Sequence, residues 1–286
     1  MIIPRKHYTL PLPAGRTLEL GARTLIMGII NVTPDSFADG GVRFDPARAI
    51  ADGLTMVGDG ADILDVGGES TRPGAEPLPE AEELRRVLPV VERLSAEAGV
   101  PVSIDTYKAV VAREAIARGA AIVNDISGLQ FDSGLARVVA ESRSAIVLVH
   151  NRGHSRDMYE RAVYGDVPAD IVRELQEAID RALLAGVSRD AIILDPGLGF
   201  SKRAEHSYAA LAGLEALAAL GRPILTGPSR KSFVKAAVGD KAPDEREWGT
   251  AAAVAASVLL GAHIVRVHGV AAMAQVIRVA DRIRNG

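Results

Sequence analysis

Asparagine, aspartate, arginine and histidine recur at one kind of place in this sequence, the end of a short apolar run. Leu25 to Asn31 passes into Val32-Thr33-Pro34-Asp35-Ser36-Phe37, and Ile63-Leu64-Asp65-Val66 into Gly67-Gly68-Glu69. The runs ending at Asp105, at Asn124-Asp125, at Asp195 and at Arg266-Val267-His268 repeat the form. Such side chains are costly to bury without a partner. If the runs are parallel strands, their ends converge on one mouth.

Asp105, Asn124 and Asp195 together offer oxygen acceptors and an amide donor at similar depth, which suits a flat heterocycle with an N–H-rich edge. A carboxylate can take two parallel N–H bonds from an amidine-like group, and such pairing is strong in a water-poor pocket. Taken singly, each reads first as a helix cap or a loop pin, and the functional reading rests on the three together. Arg266 and His268 alternate on one strand and so face the same way, towards an anion beside Asn31. A metal ion at Asn31 would take most of its ligands from water or phosphate, which is the habit of magnesium. The plainer alternatives are a neutral structural histidine and a salt bridge for Arg266 inside the fold. Ser229-Arg230-Lys231-Ser232 stands at an expected helix start, a place that favours anions, while Lys231 could equally donate to a ring atom. The stretches Thr33 to Gly41 and Glu69 to Ala75, rich in glycine, proline and hydroxyl residues, predict covers over a bound substrate, with Phe37 and Arg72 foremost.

Positioning these residues takes a regular alternation. A hairpin is expected over Tyr8 to Leu12 and Thr17 to Leu20, capping the floor. Strands are expected at Leu25–Asn31, Ile63–Val66, Val102–Asp105, Ala121–Asp125, Ala145–His150, Ile192–Asp195, Ile224–Thr226 and Ile264–Val267. Helices fall between them, among them Pro79 to Ala98, which Pro89 should bend or divide, and Ala204 to Leu220. Eight strand–helix alternations predict an α/β fold, a closed parallel (β/α)8 TIM barrel with a short N-terminal hairpin, over an open doubly wound sheet. Polar ends of barrel strands belong to the active-site face.

Composition agrees. The 286 residues suit one domain spanning 1–286, since such barrels run to roughly 250 residues. With 48% hydrophobic and 24% charged residues, the chain can bury a sizeable core. A formal net charge of -3 gives no reason to expect nucleic acid or an anionic membrane as partner. The absence of cysteine excludes disulfides, thiolate nucleophiles and cysteine-ligated metals. Residues 1–15 lack a secretory pattern, and no apolar run reaches spanning length, so a cytoplasmic protein is expected.

Taken together, the chain from Gly28 to His268 resembles the dihydropteroate synthase family of pterin-binding enzymes. The resemblance rests on Asn31-Val32-Thr33-Pro34-Asp35-Ser36-Phe37, on Gly67-Gly68-Glu69-Ser70-Thr71-Arg72-Pro73-Gly74 and on Ser229-Arg230-Lys231-Ser232. Asp195-Pro196-Gly197 and Arg266-Val267-His268 support it. The resemblance implies condensation of 6-hydroxymethyl-7,8-dihydropterin diphosphate with 4-aminobenzoate, giving 7,8-dihydropteroate and pyrophosphate in folate biosynthesis, with sulfonamides as inhibitors. It implies pterin binding by Asp105, Asn124, Asp195 and Lys231. Diphosphate would meet Asn31, Arg266 and His268 with magnesium (Mg2+) at Asn31. Aminobenzoate would meet Phe37, Thr71, Arg72, Phe200 and Ser229, and Asp35 would order the site beside Arg266 and His268. A homodimer through the late helices is implied as well. The chain departs from the family's usual pattern at Asn151, where methionine commonly follows the histidine, and at Gly269, where aspartate is common. A pterin-dependent methyltransferase and a pterin-binding paralogue without turnover are the alternatives.

Overall fold

The computed structural model describes residues 5–33, 45–72, 74–154 and 156–286. Strands β1 (Tyr8–Pro11) and β2 (Thr17–Leu20) pair antiparallel. The barrel strands are β3 (Leu25–Asn31), β4 (Ile63–Gly67), β5 (Val102–Asp105), β6 (Ile122–Asp125), β7 (Ala145–Val149), β8 (Ile192–Asp195), β9 (Leu225–Thr226) and β10 (Ile264–Val267). These eight run in the order β8-β7-β6-β5-β4-β3-β10-β9 with parallel pairing, and a bridge between Leu194 and Ile224 brings the two ends together. The result is a TIM barrel with an N-terminal hairpin.

Alternation within the strands decides what lines the interior. Ile26, Ile30, Leu64, Val66, Ile104, Val123, Leu194 and Val265 point outward into the core beneath the helices. Leu25, Met27, Ile63, Ile122, Val147, Ile193 and Ile264 point inward and form a second core with Leu10, Leu12 and Leu20 of the hairpin. The hairpin therefore plugs the N-terminal end with hydrocarbon. Counting onward by twos along the inner face gives Asn31, Asp65, Asp105, Asn124, Asp195, Arg266 and His268. One barrel interior thus runs from an apolar floor to a polar mouth.

The helices are α1 (Pro46–Gly58), α2 (Glu80–Glu97), α3 (Ala109–Ala117), α4 (Leu135–Ser142), α5 (Val167–Leu184), α6 (Ala204–Ala212), α7 (Ser232–Val238), α8 (Glu247–Leu259) and α9 (Val270–Asn285). Local chemistry starts two of them: Asp45 accepts from the Ala47 N–H at 2.9 Å and Asp166 from the Ala169 N–H at 3.0 Å. Of the two outcomes expected at Pro89 the division does not occur, and a second expectation needs correction. Helix α2 runs undivided through Pro89, which costs it one backbone bond while Val87, Val90, Val91 and Leu94 stay buried. The helix expected over Ala204 to Leu220 instead stops at Gly213 and continues as a 3-10 turn over Leu214–Leu220. A Cβ on Gly213 would lie 2.4 Å from Pro168 Cγ, so the glycine admits the start of α5. No helix among the described residues is long and apolar enough to cross a membrane.

Candidate active site

Arg266 organises the centre of the mouth. Its Nε donates to Asp65 Oδ2 and its Nη2 to Asp105 Oδ2, both at 2.6 Å, and Asn124 Nδ2 donates to the same Asp65 oxygen at 2.9 Å. Four strands, β4, β5, β6 and β10, are thereby tied by side chains across the barrel. Burial alone would lower the Arg266 pKa, but Asp65 and Asp105 raise it above its ordinary value. Burial pushes the Asp105 carboxyl up, against the pull of Arg266 and with Asp65 adding to the rise. Asp65 Oδ1 and Asn124 Oδ1 are buried without a hydrogen-bond partner. Orphan acceptors of this kind cost about 1–3 kcal/mol each, and a ligand carrying N–H groups would offset that.

Asp65 was not among the residues singled out from the sequence as part of the site. Its signal was present in an aspartate lodged inside an apolar strand, but its role depends on partners 59 and 201 positions away. Arg266 also takes the ion-paired position that sequence allowed as its plainer alternative. Its Nη1 retains no partner among the described residues.

Asp195 Oδ1 accepts from the Gly197 N–H at 2.7 Å, leaving Oδ2 towards the mouth, 4.0 Å from the place of a Cβ on Gly227. Burial raises the Asp195 pKa to about 6. Lys231, lowered to about 8 by burial and then by Arg266, lies with Nζ 3.9 Å from the centre of the half-buried Phe200 ring. A cation on an aromatic face leaves the ammonium available on its other side. Gly197 makes this loop possible: its φ is +67° and a Cβ there would lie 2.0 Å from the His150 carbonyl oxygen.

Behind the loop is a residue that sequence reading missed. Lys202 is wholly buried, and its Nζ meets His150 Nδ1 at 2.7 Å and the carbonyls of Phe200, Gly197 and His150 at 3.0, 3.2 and 3.3 Å. Burial lowers its pKa to about 7 and that of His150 to about 4. His150 also contacts Glu174 at 3.0 Å, so a neutral imidazole with its proton on Nε2 satisfies both neighbours. Asn151 accepts at Oδ1 from Ser201 Oγ at 2.6 Å, so the departure there ties the end of β7 to the same loop.

On the opposite side, His268 Nε2 stands 3.4 Å from Asn31 Nδ2 and its Nδ1 stands 2.9 Å from Ser229 Oγ. A proton on Nδ1 satisfies both contacts. Burial, then Arg230, Arg266, Lys231 and Arg72, lowers the His268 pKa to about 3, so the ring is neutral amid cations. Asn31 is exposed at the strand end, with its side-chain oxygen unpartnered among the described residues. No group of three or more His, Cys, Asp or Glu among the described residues could hold a metal, so an ion here would need water and substrate oxygens.

Thr71 is half-buried and Arg72 exposed, on a loop whose root is fixed. Glu69 accepts from Lys108 Nζ at 2.5 Å, from Tyr107 Oη at 3.0 Å and from the Leu78 N–H at 3.1 Å, and Lys108 also pairs with buried Glu83 at 2.5 Å. Asp35 and Phe37 lie outside the described residues.

The sequence matches the pterin binding enzyme family over residues 27–268. It is 46% identical over 278 residues to the dihydropteroate synthase of Synechocystis, covering 97% of this chain and 96% of that protein. Among solved structures, Xanthomonas albilineans dihydropteroate synthase with 4-aminobenzoic acid superposes with a TM-score of 0.89 at 42% identity, covering 97% of this chain and 100% of that one. Yersinia pestis dihydropteroate synthase in a sulfonamide drug complex superposes with a TM-score of 0.91 at 39% identity, covering 98% and 100%.

Proposed function

The chain belongs to the pterin-binding enzyme family and acts as a dihydropteroate synthase, and from that premise we propose how its mouth carries the reaction. The observation that carries the assignment is the pair of orphan acceptors on Asp65 and Asn124 beside the open Asp195 Oδ2. Together they match the N–H-rich edge of the aminopyrimidine half of a pterin. Asp195 takes that edge, Asp105 and Asn124 line the bottom of the mouth and Lys231 donates to a ring acceptor. Residues 1–286 serve this site as one barrel domain.

The reaction breaks the bond between the pterin methylene carbon and the diphosphate oxygen, and the electron pair leaves with the diphosphate. The amine of 4-aminobenzoate then forms the new C–N bond and gives up a proton to water or pyrophosphate. Electron release from the dihydropterin ring stabilises the developing methylene cation, so no protein nucleophile is required. Arg266 through Nη1 and Asn31 through Nδ2 donate to the diphosphate, and His268 joins them in its other neutral tautomer, with Ser229 Oγ donating to Nδ1 and the proton on Nε2 turned to the anion; donors aimed at growing charge are the main catalytic contribution. Asn31 would hold magnesium with water and diphosphate oxygens, where the ion supplies charge neutralisation. Phe37, Thr71, Arg72, Phe200 and Ser229 form the aminobenzoate subsite, and Asp35 with its loop excludes water. Sulfonamides are expected to compete with 4-aminobenzoate.

A cytoplasmic setting and a homodimer belong to the same proposal. The dimer is supported by exposed apolar side chains on α8 and α9, which pack side by side: Trp248 is 89% exposed, Val279 62% and Ile283 60%.

The test is product formation by purified protein with both substrates and magnesium, each omitted in turn, with the product identified by mass. Dihydropteroate and pyrophosphate should appear in equal amounts only with both substrates. Tight pterin binding with no product would instead place the chain with non-catalytic pterin binders.

A further inference from the structure

Arg230 stands between Ser229, which touches His268, and Lys231, and the mechanism above gives it no part. Its backbone is left-handed, at φ 59°, and clamped on both sides: its N–H donates to Thr250 Oγ1 at 3.1 Å and its carbonyl accepts from Arg246 Nη1 at 3.0 Å. Its Nε donates to Glu247 Oε2 at 3.4 Å, while its two Nη nitrogens have no acceptor among the described residues.

Glu247, in the first turn of α8, reaches across to the end of β10. A Cβ placed on Gly269 would lie 2.1 Å from Glu247 Oε1 and 3.2 Å from its Cδ. Gly269 has φ −89°, which any residue adopts, so a side chain there would displace the Glu247 carboxylate rather than strain the backbone. The carboxylate is thus packed against the residue that follows His268, and it brings the Arg230 guanidinium to the same place. The depressed His268 pKa agrees, since Arg230 is its largest cause after burial. A guanidinium with both Nη groups unfilled, next to His268, has the fork geometry that phosphate oxygens accept.

We propose that Arg230 is a further catalytic residue, donating its Nη groups to the departing diphosphate, and that Glu247, packed against Gly269, is its positioning residue. The inference rests on the synthase reading. Charge on the diphosphate grows as the C–O bond breaks, so these hydrogen bonds strengthen towards the transition state. The Arg230–Glu247 pair is itself partly exposed and contributes little to stability. Its role is orientation.

The test compares Arg230→Gln, Arg230→Lys, Glu247→Gln and Gly269→Ala with the wild type. Three quantities are read: binding of inorganic pyrophosphate with magnesium, binding of 6-hydroxymethyl-7,8-dihydropterin without its diphosphate, and kcat. Arg230→Gln should weaken pyrophosphate binding and lower kcat, each by about tenfold, while the free pterin binds within about twofold of wild type. Arg230→Lys should recover part of both. Glu247→Gln and Gly269→Ala should each move the same two quantities by about threefold, and they carry the test if Arg230→Gln does not fold. Unchanged pyrophosphate binding and kcat in folded Arg230→Gln, or in both indirect variants, would overturn the proposal. Pyrophosphate binding needs no turnover, so a wild type that binds it yet makes no dihydropteroate overturns the synthase reading alone, and the pyrophosphate affinity of Arg230→Gln then upholds or overturns the role of Arg230 by itself.

Discussion

At the scale of single residues, the mouth sets acids and bases against their ordinary ionisation. Asp195, raised to about 6 by burial, must be ionised to accept two N–H bonds, and Lys231, lowered to about 8, must be protonated to donate. The pterin diphosphate kcat/KM should therefore rise with pH through about 6 and fall through about 8, a bell that Lys231→Met should open on its alkaline side. Asp65 makes a different prediction. It holds Arg266 and Asn124 at once, so Asp65→Leu leaves a buried cation with one partner fewer. Urea unfolding should show a loss of about 3 kcal/mol, whereas an unchanged midpoint would mean that Asp105 alone suffices for Arg266. Most of the mouth could be read from the sequence, because a polar residue ending an apolar run is a local signal. Asp65 and Lys202 could not be placed, since an inward aspartate or a loop lysine acquires its meaning only from partners on other strands.

At the scale of elements, the barrel was legible for a similar reason. Apolar strands, most of four to seven residues, alternate with helices, two of which (α1 and α5) begin at a capping aspartate followed by proline, and the inward parity of the strands fixes which tips meet. Tertiary packing decided what Pro89 and Gly213 do: a well-buried helix tolerates one lost bond without dividing, and a glycine at a helix crossing ends the helix it belongs to. The loop after β8 is where an element becomes a site, since Gly197, Phe200 and Lys202 wrap the end of β7 and aim Asp195. Gly197→Ala puts a methyl group into the His150 carbonyl at a left-handed position. It should cost about 2 kcal/mol or more of stability and raise the KM for the pterin substrate. Wild-type values for both would show that the loop is not shaped by that contact.

At the scale of the molecule, the apolar floor and the polar mouth divide the work of stability and function, and each end buries a neutral histidine. His263 receives the Ile224 N–H on Nδ1 at 3.1 Å and reaches the Lys6 carbonyl at 3.0 Å, and burial lowers its pKa to about 4. Its folded pKa lies below the unfolded value, so its contribution is whole above about pH 6.5 and is lost as pH falls towards the folded value. The difference in unfolding free energy between wild type and His263→Gln should accordingly shrink across that window; a constant difference would show that the ring does not stay neutral. The proposed dimer face makes a separate prediction, that Trp248→Arg with Val279→Asp shifts sedimentation to the monomer while a folded barrel remains. If the strand tips hold a pterin, equilibrium binding of 6-hydroxymethyl-7,8-dihydropterin must separate wild type from Asp195→Ala. Wild type should bind, and Asp195→Ala should lose at least about tenfold, on the order of 1.4 kcal/mol, with an unchanged circular dichroism spectrum. Equal affinity in the two folded proteins would contradict that placement.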